Sequence, residues 1–448
     1  MSFTSTLFLF IVLPLILLCL FLLNHFRVPE LVISSFTAIL SLVFYAWSGI
    51  TNLLIMLALS LINYILARCI SRCPAGCSAR RLLLELGVVL NIGLLIAYRF
   101  FPNVPLGLSF FTFLSVAYLA DTFWDKISAE RSLIRYMEYI FLFPKVSMGP
   151  ITRYSQLSDD LQQHQINAEN TYLGIRRFCI GFSKKILLAN QGGLAADAMF
   201  QAGTSIPAGY AWIGLLSYTL QLYLDFSSYS DMAIGLGLIL GIHLPENFDY
   251  PYIAKTIQEF WRRWHISLSS WFRDYVYIPL GGNRKGKLRT YCNLLIVFFL
   301  TGIWHGSSWN FVIWGLFHGL FQLLERGPLG RFLKKSPRWF QHAYTLLIVM
   351  LGWVFFRADT FSGALIYLGN LVGIGKDAAV SLEMVKVLTP QYWFFLIISL
   401  MTAFPVSHRI SDRWKQHWIT DYLLILVFIL AVCFMAAGNY NPFIYARF

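Results

Sequence analysis

Two histidines lie in sequence surroundings where an ionisable side chain is costly to place. His305 interrupts the apolar stretch LLIVFFLTGIWHGSSWNFVIWGLFHGLF, and His265 lies among the aromatic residues of IQEFWRRWHISLSSWFRDYVYIPLGG. Ionisable groups at membrane depth usually mark a substrate path, a proton relay or a catalytic site. A neutral imidazole, whose unperturbed pKa is about 6.5, can take a proton from an attacking nucleophile and then protonate a leaving group.

The segment around His265 has a second interpretation. If residues 257–282 form one helix, Trp261, Trp264, His265 and Leu268 follow the spacing of a single apolar face. An amphipathic helix of this kind is typical of a membrane-surface anchor, on which a histidine can fall by chance. Both interpretations stay open at this point, because a lone buried histidine is often only a hydrogen-bonded core residue.

Two carboxylates, Asp225 and Asp231, interrupt the apolar run LLSYTLQLYLDFSSYSDMAIGLGLILG. They either cap the ends of broken helices beside Ser228 and Ser230 or hold a catalytic or substrate group. His318, in WGLFHGLF, is expected to pack against its neighbours rather than to take part in chemistry.

The composition indicates which elements carry these residues. Hydrophobic residues make up 57% of the 448 residues and charged residues 13%, whereas a soluble domain has about one quarter charged residues. Apolar windows recur from end to end, and several are short enough to fit broken or re-entrant helices. We expect an all-α, polytopic membrane protein with about ten to twelve crossings. We expect the chain to form a single domain over residues 1–448. Its N-terminal apolar run is expected to remain in the protein as the first helix.

Clusters of Lys and Arg predict the orientation, because short basic loops favour the cytoplasm. The four clusters are Arg68, Arg72, Arg80 and Arg81; Arg284, Lys285, Lys287 and Arg289; Arg326, Arg331, Lys334, Lys335 and Arg338; and Arg409, Arg413 and Lys415. Placing them on one side puts both termini outside and makes residues 290–325 a hairpin with WHGSSWN in its turn. The same rule and anionic lipid head groups account for the net charge of +13, so no nucleic-acid partner is expected.

Three other patterns do not predict a site. GGNRKGK, residues 281–287, imitates a phosphate-binding loop, but Leu288 stands where Ser or Thr would reach the metal ion. The glycines of GLGLILG, residues 235–241, are spaced for close helix packing in a membrane rather than for a dinucleotide. The seven cysteines form neither a disulfide framework nor a familiar zinc pattern, so no bound metal or cofactor is predicted.

Several longer strings resemble a known family. YLDFSSYSDMAIGLG, PENFDYPY, FWRRWHISLSSWFRDYVYIPLGGNRKG and FLTGIWHGSSWNFVIWGLFHG lie between residues 220 and 320, and the chain closes with NPFIYARF. These strings are similar to segments of the membrane-bound O-acyltransferases. The branch they resemble most is the membrane subunit of bacterial alginate O-acetyltransferase, with its peptidoglycan- and cellulose-acetylating relatives. Ala446 departs from the pattern, which has an aromatic residue there.

The resemblance implies a site and a fold. His305 falls on the family's invariant histidine in W-H-G, and His265 falls on a second histidine in R-W-H-I-S. We expect His305 to be the general base and His265 a supporting donor or orienter. The implied fold is a ring of transmembrane helices around a thin centre, where a cytoplasmic tunnel meets an outer funnel. The residues assigned to the substrate or donor path are Asp225, Trp304, Arg262, Arg263, Arg284 and Lys285.

Together these expectations form a functional hypothesis. As the resemblance implies, the chain is an inner-membrane O-acetyltransferase that passes an acetyl group from a cytoplasmic thioester, either acetyl-CoA or an acyl carrier. The acceptor is an extracytoplasmic polysaccharide of the alginate, peptidoglycan or cellulose type, and an SGNH-type acyltransferase is the expected partner. D-alanyl transfer to teichoic acid by the same family is a close alternative. A polysaccharide or lipid transporter is an alternative of another class, which should show internal repeats with matching broken helices.

Overall fold

The computed structural model describes residues 2–101, 104–201, 206–374, 380–405, 418–438 and 440. Among these residues the regular secondary structure is helical and no strand is present, which confirms the all-α prediction. A helix satisfies its backbone hydrogen bonds within one segment, as lipid requires. Arg409, Arg413, Lys415 and Ala446 lie outside the described residues.

The described helices are numbered in chain order. They are α1 (Leu13–His25), α2 (Glu30–Ala46), α3 (Ile50–Arg72), α4 (Ser78–Ala97), α5 (Leu108–Phe123), α6 (Leu133–Phe141), α7 (Phe143–Val146), α8 (Tyr154–Gln162), α9 (Ala168–Ser183), α10 (Asn190–Phe200), α11 (Ala208–Ile239), α12 (Ile257–Arg263), α13 (Ile266–Phe272), α14 (Lys287–His305), α15 (Trp309–Glu325), α16 (Pro328–Lys335), α17 (Arg338–Arg357), α18 (Phe361–Leu371), α19 (Leu382–Val387), α20 (Pro390–Ala403) and α21 (Trp418–Ala437). Turns of π-helix cover Phe8–Val12, Lys184–Ala189 and Arg273–Tyr277.

Five of the described helical segments are long and apolar enough to cross a membrane. These segments are Phe8–His25, Ile50–Arg72, Ser78–Phe100, Arg338–Arg357 and Trp418–Ala437. Many of their large apolar side chains face outward, as they must where the surroundings are lipid. The chain is therefore a membrane protein with several spanning helices.

The helices form two compact units. One unit contains Met1–Cys179 and Ser230–Glu246, and the other contains Ile180–Tyr229 and Asn247–Phe448. The boundary falls within α9 and within α11, so each of these two helices contributes to both units.

In the first unit, a buried histidine ties two helices together. His164 Nε2 lies 2.8 Å from Glu138 on α6, and its Nδ1 lies 3.2 Å from Glu30 on α2. Burial by itself lowers the pKa of His164, but the hydrogen bonds and charges of the two carboxylates more than offset it and raise that pKa above its ordinary value. The imidazole therefore holds its proton readily and forms charge-assisted hydrogen bonds.

Close helix packing in the first unit involves the glycines of GLGLILG, as predicted. A Cβ on Gly235 of α11 would lie 2.6 Å from the carbonyl oxygen of Gly174 on α9, and the reverse substitution gives the same distance. Only residues without a side chain permit this backbone approach. The Gly174–Gly235 contact confirms the packing interpretation of this segment.

Helix α11 corrects one prediction about the two carboxylates. The sequence predicts separate apolar windows at residues 210–224 and 232–244, but α11 is one helix of 32 residues. Asp225 and Asp231 lie inside it, so the interpretation that they cap broken helix ends is wrong. In the first unit Asp231 pairs with Arg177 at 2.6 Å, and this neutralisation allows an apolar helix to continue past a carboxylate.

Some of the predicted basic loops are helix ends instead. Arg72 is the last residue of α3, and Arg80 lies in the first turn of α4. Arg80 is buried and donates to the carbonyl oxygen of Thr122 at 3.1 Å, so it is not a solvated loop residue. Helix ends carry the positive charge because long basic side chains can reach polar groups beyond the apolar span.

The second unit contains the predicted hairpin, with α14 and α15 joined by residues 306–308. Two glycines let the helices approach closely. A Cβ on Gly302 would lie 2.5 Å from the carbonyl oxygen of Phe311, and one on Gly315 would lie 2.3 Å from that of Phe298. The hairpin therefore depends on small residues at the contact, as helix pairs in membranes do.

Candidate functional site

His305 is the last residue of α14 and is only 5% exposed. Aromatic rings surround it: the centroid distances are 4.5 Å to Trp304, 4.9 Å to Trp314 and 5.0 Å to Phe356. Because α14 has 19 residues, it is about 28 Å long, close to the ~30 Å hydrocarbon thickness. His305 thus lies a full helix length from the basic end that begins at Lys287.

His265 lies at a break between two short helices, α12 and α13. Its backbone has φ 44° and ψ 56°, the left-handed region, and its side chain is buried at 1% exposure. Left-handed backbone is uncommon for any residue other than glycine and costs free energy that the surrounding structure must supply. The prediction of one amphipathic helix over residues 257–282 is therefore wrong.

Contacts with residues 247–249 explain the break. The Asp249 N–H donates to the carbonyl oxygen of Arg263 at 3.0 Å, and the Ile266 N–H donates to that of Asn247 at 2.9 Å. The side-chain oxygen Oδ1 of Asn247 then accepts the Ser267 N–H at 3.1 Å. These bonds replace the helical ones at this point, and they satisfy donors at the start of α13.

The start of α12 is held by a carboxylate from the end of α15. Glu325 accepts the Ile257 N–H at 2.7 Å and the Gln258 N–H at 3.2 Å. These are two of the donors that a helix leaves unsatisfied at its N-terminus, where a negative charge is also favoured. Glu325 therefore links the helix that packs on His305 to the segment that leads to His265.

A wall of tryptophans connects the surroundings of the two histidines within the second unit. The Trp314 ring lies 6.0 Å from Trp353, and Trp353 lies 5.1 Å from Trp264, the residue before His265. His318 is fully buried in the same wall, 5.2 Å from Trp261. Within the described residues neither ring nitrogen of His318 has a hydrogen-bond partner, so its contacts are those of packing, as the sequence predicts.

The residue that follows Asp225 in α11, Phe226, contacts His265. The Phe226 ring lies edge-on to the His265 ring, with centroids 4.7 Å apart at 88°. Asp225 itself forms an ion pair with Lys185 at 2.6 Å, and the two side chains are 4% and 1% exposed. Lys185 lies in the π-helical turn that follows α9, and such turns often occur at functional sites.

Sequence reasoning did not assign a role to Lys185 or to Asn247. A basic residue at the start of the apolar run ILLA was the available signal for Lys185. For Asn247 the only signal was its place in PENFDYPY, because nothing in the spacing links it to His265.

The four basic residues assigned to the donor path lie in different surroundings. Arg263 forms ion pairs with Asp249 at 2.6 Å and with Glu259 at 3.0 Å. Arg262 is exposed. Arg284 and Lys285 lie exposed in the turn before α14, and in the described structure their side chains form no ion pair or hydrogen bond. Of the four, these two and Arg262 are therefore available to a charged ligand.

The arrangement suits proton transfer without a metal ligand set. Among the described residues, no group of three or more His, Cys, Asp or Glu side chains could hold a metal ion. All seven cysteines are free thiols. What the described part of the second unit offers instead is three buried imidazoles, His265, His305 and His318, in desolvated aromatic surroundings, where a hydrogen bond to a developing charge is strengthened.

Comparison with known proteins agrees with the resemblance in the sequence. Residues 40–359 match the family model of the membrane-bound O-acyltransferase family. The chain is 39% identical to the probable alginate O-acetylase of Pseudomonas fluorescens, over the full length of both chains. It is 32% identical to the peptidoglycan O-acetyltransferase of Helicobacter pylori, over all of this chain and 97% of that protein.

A more limited match is found with a third protein. The teichoic acid D-alanyltransferase of Bacillus subtilis is 33% identical over 48% of this chain and 57% of its own length. The family match covers His265, His305 and the aromatic wall between them. The chain therefore belongs to the membrane-bound O-acyltransferase family.

Proposed function

We propose that this chain is an inner-membrane O-acetyltransferase that passes an acetyl group from a cytoplasmic thioester to an extracytoplasmic polysaccharide. The observation that carries the proposal is that two buried histidines border the same aromatic wall. His265 is 1% exposed and His305 is 5% exposed. Full-length similarity to an alginate and a peptidoglycan acetylating protein supports the acceptor class. The acceptor hydroxyl belongs to the polymer or to a serine of an SGNH-type partner that carries the acetyl group onward.

The proposed reaction balances without a metal. His305 takes the proton of the attacking hydroxyl as its oxygen forms a bond to the acetyl carbon. The carbon–sulfur bond breaks, and the thiolate that leaves receives the proton, so the products are an ester and a free thiol. His265 supports the reaction by orienting a substrate group. The aromatic shell excludes water, which disfavours hydrolysis of the thioester.

The proposed topology places the donor and the acceptor on opposite sides. The exposed, basic turn at Arg284 and Lys285 faces the cytoplasm, where the phosphates of CoA or of an acyl carrier approach. The turn after His305 faces outward, as do both termini. The helices form one membrane domain over residues 1–448, a ring of about ten to twelve crossings.

Transfer of label tests the function. Purified protein in vesicles, given radiolabelled acetyl-CoA and a polymer or partner acceptor, is expected to move the label to the acceptor hydroxyl. Arg284→Glu with Lys285→Glu should raise the donor KM, by a factor that shrinks at high salt because the Debye length falls. Lys334→Glu with Lys335→Glu is the matched control, since these lysines are also exposed on the predicted cytoplasmic side.

Three results would contradict parts of this proposal. Movement of intact substrate across the vesicle without loss of the thioester would show a transporter instead. If both double variants had the same donor KM as the natural chain, the turn at Arg284 and Lys285 would have no part in donor capture. Transfer of D-alanine but not of acetyl groups would favour the teichoic acid branch.

Cysteine labelling tests the topology. In a chain whose only native cysteine is Cys77, an exposed residue between α3 and α4, a membrane-impermeant thiol reagent should label whole cells only after permeabilisation. A cysteine at Ser307, exposed in the turn after His305, should be labelled without it once all native cysteines are replaced. Labelling of Cys77 in intact cells would invert the orientation.

A further inference from the structure

Only one of the two ring nitrogens of His265 has a hydrogen-bond partner among the described residues. Its Nδ1 lies 3.2 Å from Oδ1 of Asn247, the oxygen that also accepts the Ser267 N–H at 3.1 Å and the Ser267 hydroxyl at 2.8 Å. Its Nε2 is buried and has no hydrogen-bond partner in the described part of the chain. A buried polar atom without a partner is costly, and this one lies on a ring whose other nitrogen is fixed by Asn247.

The Ser267 N–H decides which way the Asn247 amide points. A backbone N–H can only donate, so the atom that faces it must be the amide oxygen and not the amide nitrogen. The same oxygen faces Nδ1 of His265 at 3.2 Å. The Ser267 hydroxyl lies farther from Nδ1, at 3.5 Å, and donates its proton to Asn247 Oδ1 at 2.8 Å, so Nδ1 must carry the ring proton. A neutral imidazole has a single N–H, so Nε2 holds a lone pair and can only accept a hydrogen bond.

The backbone supports the same conclusion. Two groups of Asn247 fix the start of α13. Its backbone carbonyl oxygen accepts the Ile266 N–H at 2.9 Å, and its side-chain oxygen accepts the Ser267 N–H. Between these anchors, His265 is kept at φ 44°, a conformation that persists only where the surrounding contacts over-determine it. Contacts that fix a strained residue and its tautomer together are typical of a ring that must present one particular nitrogen.

The place of His265 in the chain indicates which substrate it meets. From His265 the chain runs through α13, a π-helical turn and the turn at Arg284 and Lys285, which is the proposed donor entry. His305 lies at the far end of α14 from that entry. A thioester donor, whether CoA or an acyl carrier, enters through a pantetheine arm that contains amide N–H groups. In a desolvated passage each of these groups needs an acceptor.

We propose that Asn247 is a positioning residue that fixes His265 in the Nδ1–H form, so that Nε2 accepts a hydrogen bond from an amide N–H of the donor's pantetheine arm. The inference rests on the proposed acyl transfer and deepens it. His265 orients the donor, whereas His305 takes the proton of the acceptor hydroxyl. The alternative role of His265 as a hydrogen-bond donor is excluded for the resting ring, because the required proton is on the other nitrogen.

Nitrogen-15 magnetic resonance tests the proposal on the natural chain, without depending on transfer. Of the nine histidines, His265 is identified by the signals lost in His265→Gln. We expect a protonated Nδ1 and an unprotonated Nε2 at neutral pH, and a shift of the Nε2 signal toward the hydrogen-bonded value when CoA is added. Pantetheine alone and a loaded carrier should produce the same shift, and a simple alkyl thioester should not. A protonated Nε2, or a signal that CoA leaves unchanged, would overturn the proposal.

Donor and acceptor kinetics supply the second measurement. Asn247→Leu keeps the volume but removes the acceptor for Nδ1–H, and we expect the donor KM and the dissociation constant of CoA to rise about tenfold, with an unchanged acceptor KM. Ser270→Ala, which removes a hydroxyl on the same helix that donates to the Ser267 carbonyl at 2.9 Å, is the matched control. A rise in the acceptor KM alone would assign His265 to the hydroxyl side and overturn the donor contact. Failure of all transfer with an unchanged magnetic resonance result would count against the proposed function instead.

Discussion

Replacing His305 with alanine is expected to lower acetyl transfer by about 10²- to 10⁴-fold, the usual contribution of a general base. The chain should still accumulate in the membrane, because His305 is the last residue of α14 and the helix before it is unchanged. The measurement is the amount of ester on the acceptor per mole of membrane protein. His305→Gln should be similarly inactive, since glutamine keeps much of the volume and cannot take the proton.

An exposed histidine provides the control for this experiment. His25, at the end of α1, lies on the surface of the described structure, and His25→Ala should transfer as the natural chain does. Activity in His305→Ala equal to that of His25→Ala would remove His305 from the reaction. Loss of the protein from the membrane in His305→Ala alone would assign the residue a structural role, because the aromatic shell around it would have collapsed.

The Lys185–Asp225 pair is expected to give the largest effect on stability. Lys185→Met removes the cation that pairs with the buried Asp225 carboxylate at 2.6 Å, and breaking such a pair costs about 3–5 kcal/mol. We expect the single variant to fail to accumulate. The double variant Lys185→Met with Asp225→Leu removes both charges, which is often neutral or stabilising in a buried site. It should accumulate as the natural chain does.

The double variant also separates structure from function. If Asp225 serves the donor path, the double variant is folded but transfers acetyl groups poorly. Transfer at the natural rate would mean that the pair only holds α11 against the π-helical turn. Arg81→Met is the control, since Arg81 pairs with Glu85 on an exposed surface, where an ion pair contributes little. Thermal unfolding in detergent, together with transfer per mole of folded protein, supplies both readouts.

The pattern of residues close in sequence predicted the α14–α15 hairpin correctly, but it did not predict the helix break at His265. Helix α14 ends and α15 begins within WHGSSWN, so the turn was predictable from residues close in sequence. The segment of residues 257–282 has a regular amphipathic spacing, yet it breaks at Trp264 and His265. Its competing hydrogen bonds come from residues 247–249, and no local period contains that information.

The surroundings of Asp225 and Asp231 were also not predictable from the local sequence pattern. The cost of these carboxylates at membrane depth was evident from the sequence, which left open whether they cap broken helix ends beside serines or hold a catalytic or substrate group. The structure instead keeps α11 continuous, because Arg177 neutralises Asp231 and Lys185 neutralises Asp225. These partners are about 40 to 54 residues away in the chain, a separation that the spacing of polar residues along one helix does not report.

The sequence by itself determined the membrane class, the all-α architecture and the family, because composition, apolar length and long family strings are local properties of the chain. It also singled out His265 and His305 as candidates. Only the tertiary structure decided how the His265 ring is held. Its tautomer depends on a single oxygen of Asn247, whose orientation is set in turn by the Ser267 N–H. A proton's position follows from hydrogen bonds between residues that folding brings together, so it is not encoded in the spacing of the residues.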